Sequence, residues 1–206
     1  MTRDEARQQI QDMLGFRKDL IDPIERSLRF AQNELESEAT LPWFLRKVDV
    51  SLSTSIGSDV LPRPNDYIRL WHEDPISLLV GESIVKLVSG PLTLLRNRFT
   101  GYESPKGYAE IGEVFQMYPV PTDVYPVTFT YYAKDVALTA NVENLWLKYL
   151  PGLMIGRAGF IVASSIRDQN AQTLFGAMAA AGTEKLNQMS TAQDEDGGKP
   201  VIGGED

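Results

Sequence analysis

The residues of this chain that could carry out chemistry begin with His72, the only histidine among 206 residues. A serine triad would need it as the general base, but no G-x-S-x-G nucleophile elbow accompanies it. Glu73 and Asp74 follow directly, yet adjacent residues of a strand point to opposite faces, and no D-x-D-x-D-G loop is present to bind calcium. His72 is therefore interpreted as a surface residue at a strand end, and neither a metal site nor a catalytic residue is predicted.

Motifs that bind phosphates or bases are missing as well. Neither G-x-x-x-x-G-K-S/T nor G-x-G-x-x-G after a strand occurs, and Gly198-Lys199-Pro200 has no helix after it, so no cofactor is predicted. Five aromatic residues could stack on bases, but no Lys or Arg is interleaved with them, which favours sheet packing and protein contact. These residues are Tyr118, Tyr125, Phe129, Tyr131 and Tyr132. One enzymatic alternative stays open, a soluble hydrolase whose carboxylates come together only in the fold.

The composition limits the classes of function. The length suffices for one large domain or two small ones, and the absence of cysteine excludes disulfides, thiolate metal sites and cysteine nucleophiles. A reducing cytoplasm fits this composition, and the charged N-terminus shows no apolar signal segment, so secretion by that route is not predicted. The net charge of −8 argues against tight general binding to phosphate backbones.

The last third of the chain predicts two helices around which the rest is organised. Residues 151–166 are almost entirely apolar, which is typical of a helix surrounded by protein or lipid. A membrane span needs about 20 apolar residues, whereas Arg157 and three glycines interrupt this run. The spacing of Gly152 and Gly156 is therefore interpreted as close packing inside a soluble core, and no membrane contact is predicted.

Residues 169–190 follow with the i, i+3, i+4, i+7 spacing of an amphipathic helix, and Asp168 is the predicted N-cap. The two helices are expected to form an antiparallel hairpin. Residues 177–182 carry almost no side-chain bulk. Their smooth face could pack closely either within the subunit or against a copy of the chain.

The N-terminal 40 residues predict two further helices. Thr2 and Glu5 form a capping box for a helix that ends near residue 14, before Gly15. Asp22 and Glu25 form a second capping box, with proline at the first helical position, for a helix that ends near residue 38.

Between residues 41 and 135 the pattern changes to strands separated by proline and glycine turns. The last two strands are expected to form a hairpin at a sheet edge, where the flanking prolines are tolerated. A short helix is predicted at residues 92–97. The predicted strands are residues 47–53, 66–72, 83–89, 107–111, 114–118 and 127–132.

These elements predict an α+β fold, with a helical bundle or hairpin core, an inserted and mostly antiparallel β-sheet region, and an extended C-terminal tail. A single domain is expected over residues 1–190, made of helices within 1–40 and 143–190 and a β-insertion at 41–135. Residues 191–206 contain five acids, one lysine and four glycines. Such a composition cannot bury enough surface to order itself, so this segment is expected to be a tail.

Several stretches occur together over nearly the whole chain. They are Leu14-Gly15-Phe16-Arg17, Leu41-Pro42-Trp43-Phe44-Leu45, residues 108–121, residues 129–135 (FTYYAKD) and Asn144 with Trp146-Leu147. With the helix pair, the β-insertion and the acidic end, they make the chain resemble the head-to-tail adaptor, or connector, proteins of tailed bacteriophages.

The resemblance implies a structural protein and not an enzyme. Such adaptors form a ring, typically of twelve copies, that docks beneath the portal and extends the channel for double-stranded DNA toward the next tail or neck protein. The chain would then belong to the virion neck, after synthesis in the host cytoplasm, and DNA would pass it without sequence-specific binding. In the family the C-terminal segment reaches the portal protein, which implies docking through Asp194, Glu195, Asp196, Lys199, Pro200, Val201 and Ile202.

Overall fold

The structure is a computed structural model that describes residues 1–72, 74–99, 104–140 and 142–195. The fold is α+β, as predicted, and the chain divides into two compact units. The helical unit comprises Met1–Leu45 and Asp135–Asp206, and the β unit comprises Arg46–Lys134.

Six helices and nine strands lie in the described part of the chain. The helices are α1 (Arg3–Met13), α2 (Ile21–Ser37), α3 (Leu92–Arg98), α4 (Leu145–Tyr149), α5 (Pro151–Ser165) and α6 (Gln169–Glu195). The strands are β1 (Arg46–Ser53), β2 (Val60–Pro62), β3 (Tyr67–Leu70), β4 (Ile76–Val80), β5 (Ser83–Lys86), β6 (Val88–Ser89), β7 (Gly107–Ile111), β8 (Val114–Tyr118) and β9 (Pro126–Ala133).

Hydrogen bonds at both ends define α1. The Thr2 hydroxyl accepts from the Glu5 N–H at 3.3 Å and the Glu5 carboxylate accepts from the Thr2 N–H at 2.7 Å, which confirms the predicted capping box. At the other end the Phe16 N–H donates to the Gln11 carbonyl at 2.8 Å, and Gly15 adopts φ +75°. This is a Schellman ending, in which glycine suits the left-handed position.

The second predicted capping box is wrong. α2 begins at Ile21, with Leu20 as its N-cap and no side-chain hydrogen bond at that position. Because the 3₁₀ turn Lys18–Leu20 runs directly into the helix, Asp22 lies inside the first turn and does not cap it. A carboxylate in the first turn still interacts favourably with the helix dipole.

α5 and α6 form the predicted helix hairpin. The Asp168 carboxylate accepts from the Ala171 N–H at 3.0 Å, which confirms Asp168 as the N-cap of α6. α6 continues to Glu195, beyond its predicted end at residue 190. The helix extends this far because neither glycine nor proline interrupts the sequence between Gly182 and Gly197.

The contact between α5 and α6 contains a glycine seam, formed by Gly156 and Gly159. A Cβ added at Gly156 would lie 2.5 Å from the Ala179 nitrogen, and one added at Gly159 would lie 2.3 Å from the Phe175 ring. The predicted close packing therefore occurs within the chain. Gly152 takes no part in it, contrary to the prediction, because nothing lies within 4 Å of the position of its Cβ.

The β unit contains two sheets whose strands do not follow the sequence order. In the five-stranded sheet β9 is central: it pairs with β1 on one side and with β3 and β4 in succession on the other, and β5 pairs with β4. The four-stranded sheet has the order β2-β8-β7-β6, and only β6 and β7 pair in parallel among the described strands. Two-residue turns that begin with Gly81 and Gly112, at φ +61° and +59°, join β4 to β5 and β7 to β8.

The predicted hairpin of residues 114–118 and 127–132 is wrong, and so is its edge position. β8 and β9 belong to different sheets, and each has partners on both sides. The prolines are tolerated because Pro119 and Pro121 lie outside the strands and Pro126 is the first residue of β9. The strand predicted at residues 83–89 is two strands, β5 and β6, which pair in different sheets, and β2 and β4 are absent from the sequence prediction.

The two sheets share one apolar core. Phe115 of β8 and Phe129 of β9 are fully buried, with ring centres 5.1 Å apart, so their contact joins the two sheets. Tyr67 adds ring contacts to both. Burial of this apolar surface is the main stabilising contribution, and it confirms the predicted packing role of Phe129 and Tyr131.

Candidate functional site

The predicted portal-docking residues lie at and beyond the end of α6. Asp194 and Glu195 are the last two residues of that helix. Portal docking by this segment stays a prediction. The other five residues lie outside the described part of the chain: Asp196, Lys199, Pro200, Val201 and Ile202.

The region around His72 is a surface arrangement, as predicted. The His72 side chain is exposed, and its ring centre lies 4.3 Å from that of Trp71. Asp74 forms an ion pair with Lys86, whereas Glu73 lies outside the described residues. Within the ranges that the structure describes, no three His, Asp or Glu side chains are grouped so that they could hold a metal ion.

A polar group of residues, the junction cluster, lies in the helical unit where the chain re-enters it at residue 135, and all of its members but the half-buried Asp135 are buried. It consists of Gln32, Glu36, Asp135 and Asn144. The Gln32 amide donates to the Glu36 carboxylate at 2.8 Å, and the same carboxylate accepts from the Asp135 N–H at 3.1 Å. The Asn144 amide donates to the Val136 carbonyl at 3.0 Å. Buried polar groups that are satisfied in this way favour one arrangement of the chain.

Asp135 and Asn144 both cap α4. The Asp135 carboxylate accepts from the N–H groups of Leu145 and Trp146, at 2.6 and 3.2 Å. The Asn144 side-chain oxygen accepts from the Leu147 N–H at 3.2 Å. Burial raises the pKa of the Asp135 carboxyl, and the backbone N–H groups that donate to it oppose that rise without cancelling it. The carboxylate is thus engaged in holding the start of α4.

Asp66 is the centre of a polar group in the β unit. Its carboxylate accepts from the Lys47 ammonium at 2.7 Å and from the Tyr131 hydroxyl at 2.8 Å. Burial acts to raise the pKa of Asp66, but the hydrogen bonds from Lys47 and Tyr131 hold it below its usual value. Burial, assisted by the hydrogen bond to Asp66, raises the pKa of Tyr131 to about 12.

Glu110 is bound in a similar manner. It accepts from the Arg63 guanidinium, and from the Tyr67 hydroxyl at 3.2 Å. Burial raises the pKa of Tyr67, and Glu110 adds to the rise. Asp66, Glu110 and Asp135 thus each accept hydrogen bonds from neighbouring donors.

A family model described as SU10 adaptor protein matches residues 1–202. The chain belongs to the SU10 adaptor protein family. No curated protein matches it. The family match confirms the resemblance to phage head-to-tail adaptors. The protein is thus a bacteriophage adaptor, a structural component of the virion that associates with other phage head and tail proteins.

In this adaptor α5 lies among other helices of its unit, as its apolar sequence predicts. Arg157, the charged residue within it, forms ion pairs with Glu38 at 2.5 Å and Glu34 at 3.8 Å. None of the helices in the described ranges combines the length and apolar character needed to cross a membrane. The buried residues of α5 include Leu153, Met154, Ile155, Ala158 and Val162.

Strand pairing in the adaptor brings cations to aromatic rings, which the sequence analysis missed. Arg46 of β1 and Arg69 of β3 pair with Tyr132 of β9 from opposite sides. Arg69 lies 5.2 Å from the centre of the Tyr132 ring, and Arg46 lies 4.7 Å from that of Trp71. Both rings are buried, which favours packing over stacking on bases. No sequence spacing signals these contacts, because they depend on the register of β9.

Proposed function

We propose that the adaptor forms a ring of twelve copies beneath the portal and joins the capsid to the tail. The observation that carries this proposal is the family match over residues 1–202, which includes the described residues of both compact units. In the ring, double-stranded DNA passes through the central channel, and the far side meets the next tail or neck protein. The net charge of −8 suits a channel through which DNA passes without binding tightly to the protein.

The acidic end of the chain is the proposed portal contact. Asp194 and Glu195 end α6, and the sequence continues with further acids around the apolar pair Val201 and Ile202. Charges of one sign steer a segment toward a surface of the opposite sign. A basic surface on the portal, with apolar positions for Val201 and Ile202, is the partner that this composition fits.

Removal of residues 196–206 tests the portal contact. This cut leaves α6 complete, whereas a cut at residue 191 would remove its last turn. The truncated adaptor is expected to keep its circular dichroism spectrum and melting temperature, and to lose stable binding to purified portal rings of the same phage. Sedimentation velocity of the mixture measures that binding and the number of copies on each portal ring.

A variant of full length serves as the control for the truncation. It carries amides in place of Asp196, Glu205 and Asp206 but retains Val201 and Ile202. Loss of binding in both variants assigns docking to charge, and loss in the truncation alone assigns it to the apolar pair. A truncated adaptor that occupies the portal fully would show that residues 196–206 are not the contact. If the full-length adaptor never bound to portal rings, the proposal that it forms a ring beneath the portal would be wrong.

The proposal assigns no enzymatic activity to the adaptor. Membership of an adaptor family indicates a structural role. Asp66, Glu110 and Asp135 accept hydrogen bonds from neighbouring groups, which supports a structural role for these three carboxylates. No observation favours the hydrolase alternative.

A further inference from the structure

Both sheets of the β unit have an outer face that lacks the usual polar character. The two sheets share one apolar core, so alternate residues of each strand point into that core and the others point away from it. The exposed face of an antiparallel sheet normally carries polar residues at these outward positions. In this unit many outward residues are apolar, and exposed apolar patches of this kind mark contact sites.

The first surface, the five-strand face, crosses four strands of the five-stranded sheet. Its members are Val48, Val50, Ser77, Leu79, Ile84, Thr128 and Thr130. Thr128 of β9 pairs with Ser77, and Leu79, two residues further along β4, pairs with Ile84 of β5. Val48 of β1 pairs with the next outward residue of β9. Strand pairing therefore makes this face one continuous surface.

Large apolar side chains of the five-strand face are open to solvent. Ile84 is 72% exposed and Val50 is 69% exposed. Val50 lies in a β-bulge, where two residues of β1 oppose Thr128. None of the members is charged, and Arg46 and Lys86 lie at the margins of the face. Contact of this apolar surface with water is unfavourable until another surface covers it.

The second surface, the four-strand face, lies on the four-stranded sheet, on the side away from the core. Its members are Val60, Pro62, Ile111, Val114 and Gln116. Val114 of β8 pairs with Pro62 of β2 and with Ile111 of β7, so three apolar residues form a row across three strands. In the next row Val60 pairs with Gln116. Ile111 is 45% exposed and Val60 is 42% exposed, so this face is also open to solvent.

The outward positions of β2, β7 and β8 contain no charged residue. They alternate with residues whose side chains are buried in the core, such as Leu61, Tyr108 and Phe115. They are Val60, Pro62, Gly107, Ala109, Ile111, Val114, Gln116 and Tyr118. Leu95 of α3 covers Gly107, so the four-strand face is the part of this surface that lies beyond that helix.

The two faces point away from the shared core on opposite sides of the β unit, which limits how copies of the chain can cover them. Two copies that paired through the same face would leave the other face of both exposed. In a heterologous contact one face of a copy meets a different face of the next, so a closed ring covers both faces of every copy. Each face also suits the other, because sheets with apolar outward residues pack face to face about 10 Å apart.

We propose that the five-strand face of one copy packs on the four-strand face of the next copy. The row of Pro62, Val114 and Ile111 lies against the exposed apolar residues of the neighbouring five-stranded sheet. This interface rests on the proposed ring and deepens it by naming the two surfaces that meet between neighbouring copies.

The size of the two faces predicts when the contact forms. Four strands about 4.8 Å apart, with about five residues of each at about 3.3 Å per residue, give a face of about 15 by 17 Å. A stable complex buries roughly 800 Å² on each partner, which is more than such a face supplies. Free adaptor chains are therefore expected to stay apart, and to make this contact when the portal holds them side by side at a high effective concentration.

Cross-linking between two cysteine populations tests which faces meet, because the chain itself contains no cysteine. One population of the full chain carries Ile84→Cys and another carries Ile111→Cys. The two are mixed in equal amounts, assembled on portal rings of the same phage and treated with a bismaleimide whose reactive ends lie about 10 Å apart, the spacing of packed sheets. Cross-linked dimer is expected in the mixture and not in either population alone, because each face meets the other face and not itself.

Phe30→Cys provides the matched control. Phe30 is an apolar residue of α2 that is 59% exposed and belongs to neither face. When Phe30→Cys replaces Ile111→Cys in the mixture, no dimer is expected above the yield of either population alone.

A charge on the five-strand face tests the apolar character of the contact. Ile84→Asp places a carboxylate against an uncharged surface, which is unfavourable. It is expected to weaken the association of neighbouring copies about tenfold, which corresponds to about 1.4 kcal/mol. Native mass spectrometry with adaptor sufficient for half of the sites should then show partly filled portal rings, where the wild type shows filled and empty ones. Ile56→Asp makes the same change in the loop between β1 and β2, at a residue of neither face, and should behave as the wild type.

Several outcomes would overturn the proposal. Dimer formation within the Ile84→Cys population alone would mean that the five-strand face meets itself. Equal dimer yields with Phe30→Cys and Ile111→Cys would mean that the cross-link does not depend on the two faces. Complete rings on the portal without cross-linking between positions 84 and 111 would remove this interface and leave the proposed ring intact. Absence of any ring would contradict the proposed function as well.

Discussion

The helical unit and the β unit are packed in opposite ways. In the helical unit α5 and α6 touch at the glycine seam, where Gly156 lies against the backbone of Ala179. In the β unit the two sheets are separated by whole aromatic rings, such as Phe115 and Phe129. The first contact depends on the absence of side-chain atoms, and the second depends on large side chains.

This difference determines which mutations each unit tolerates. Protein interiors are close-packed, so a seam closed by glycine has no room for a methyl group, and a layer filled by rings cannot lose a ring without leaving a cavity. Substitution by alanine therefore adds an atom to one unit and removes several from the other.

The largest effect is expected from Phe129→Ala. Loss of a fully buried ring removes its transfer free energy and leaves a cavity between the sheets, so the free energy of unfolding should fall by about 3–5 kcal/mol. Urea unfolding followed by circular dichroism measures the change. Ile84→Ala is the control, because Ile84 is 72% exposed and its loss should change stability by less than about 0.5 kcal/mol. Equal effects of the two substitutions would contradict the described core.

The next effect is expected from Gly156→Ala. The new Cβ would meet backbone atoms of Ala179, which cannot rotate away as a side chain can, so α5 and α6 must separate. Overpacking of this kind lowers the free energy of unfolding by about 1–3 kcal/mol. Gly152→Ala is the matched control on the same helix, because its Cβ would meet nothing within 4 Å. Alanine there should be neutral or stabilising by up to about 1 kcal/mol. A stabilised Gly156→Ala variant would refute the seam.

Asp135→Asn tests a polar contact of the helical unit, where the earlier substitutions test packing. Its effect on the free energy of unfolding is expected to be similar to, or smaller than, that of Gly156→Ala. The amide group of asparagine cannot accept from the N–H groups of both Val136 and Leu145 as the carboxylate does. Val136 is exposed and Leu145 is half-buried, so loss of one of these hydrogen bonds should lower the free energy of unfolding by about 0.5–1.5 kcal/mol. Urea unfolding at pH 7 measures this loss.

The difference in the free energy of unfolding between the wild type and Asp135→Asn should also depend on pH, in a direction that the pKa of Asp135 fixes. The pKa of Asp135 is raised in the folded protein, so the folded state binds its proton more tightly than the unfolded state, in which the pKa is about 3.9. The stability that Asp135 contributes is therefore greatest below about pH 3.9 and is lost as the pH rises through the folded pKa. The wild type should gain stability relative to Asp135→Asn as the pH falls from 7 to 4. If the wild type instead lost stability relative to Asp135→Asn between pH 7 and pH 4, the pKa of Asp135 in the folded protein would be lowered and not raised.

Most helices of this chain can be predicted from the sequence because their signals are local. The capping box of Thr2 and Glu5 and the N-cap Asp168 act within one turn of the residues that they cap. The box at Asp22 fails because a 3₁₀ turn precedes it, and that turn starts the helix earlier. Local signals thus predict where helices occur better than where they begin.

Strand pairing could not be predicted in the same way. Residues 114–118 and 127–132 have the alternation of strands, but nothing in their sequence distinguishes a hairpin from membership of two facing sheets. That choice depends on partners such as β1 and β2, which lie many residues earlier. The predicted strand at residues 83–89 is divided at Leu87 for the same reason. β5 and β6 pair in different sheets, and the other strands of those sheets lie far away in the sequence.

The candidate site was predictable only in part. The stretches that resemble phage adaptors include Asp135 and Asn144, and the family match confirms that resemblance. Their shared role at α4 also depends on Gln32 and Glu36, which come about a hundred residues earlier. Asn144 alone precedes the helix at the position of a common N-cap, and that signal could have located it.

The place of β9 has a consequence for how the protein is made. β1 and β3 pair with β9 and with no other strand among those described, yet β9 is the last strand to leave the ribosome. α2 likewise packs against α5, which is synthesised later still. The nascent chain must carry unpaired strand segments until β9 has been synthesised, and such segments are prone to aggregate. Co-translational folding of this protein is therefore late, and a ribosome that stalls before residue 126 releases a product with no route to the native sheet.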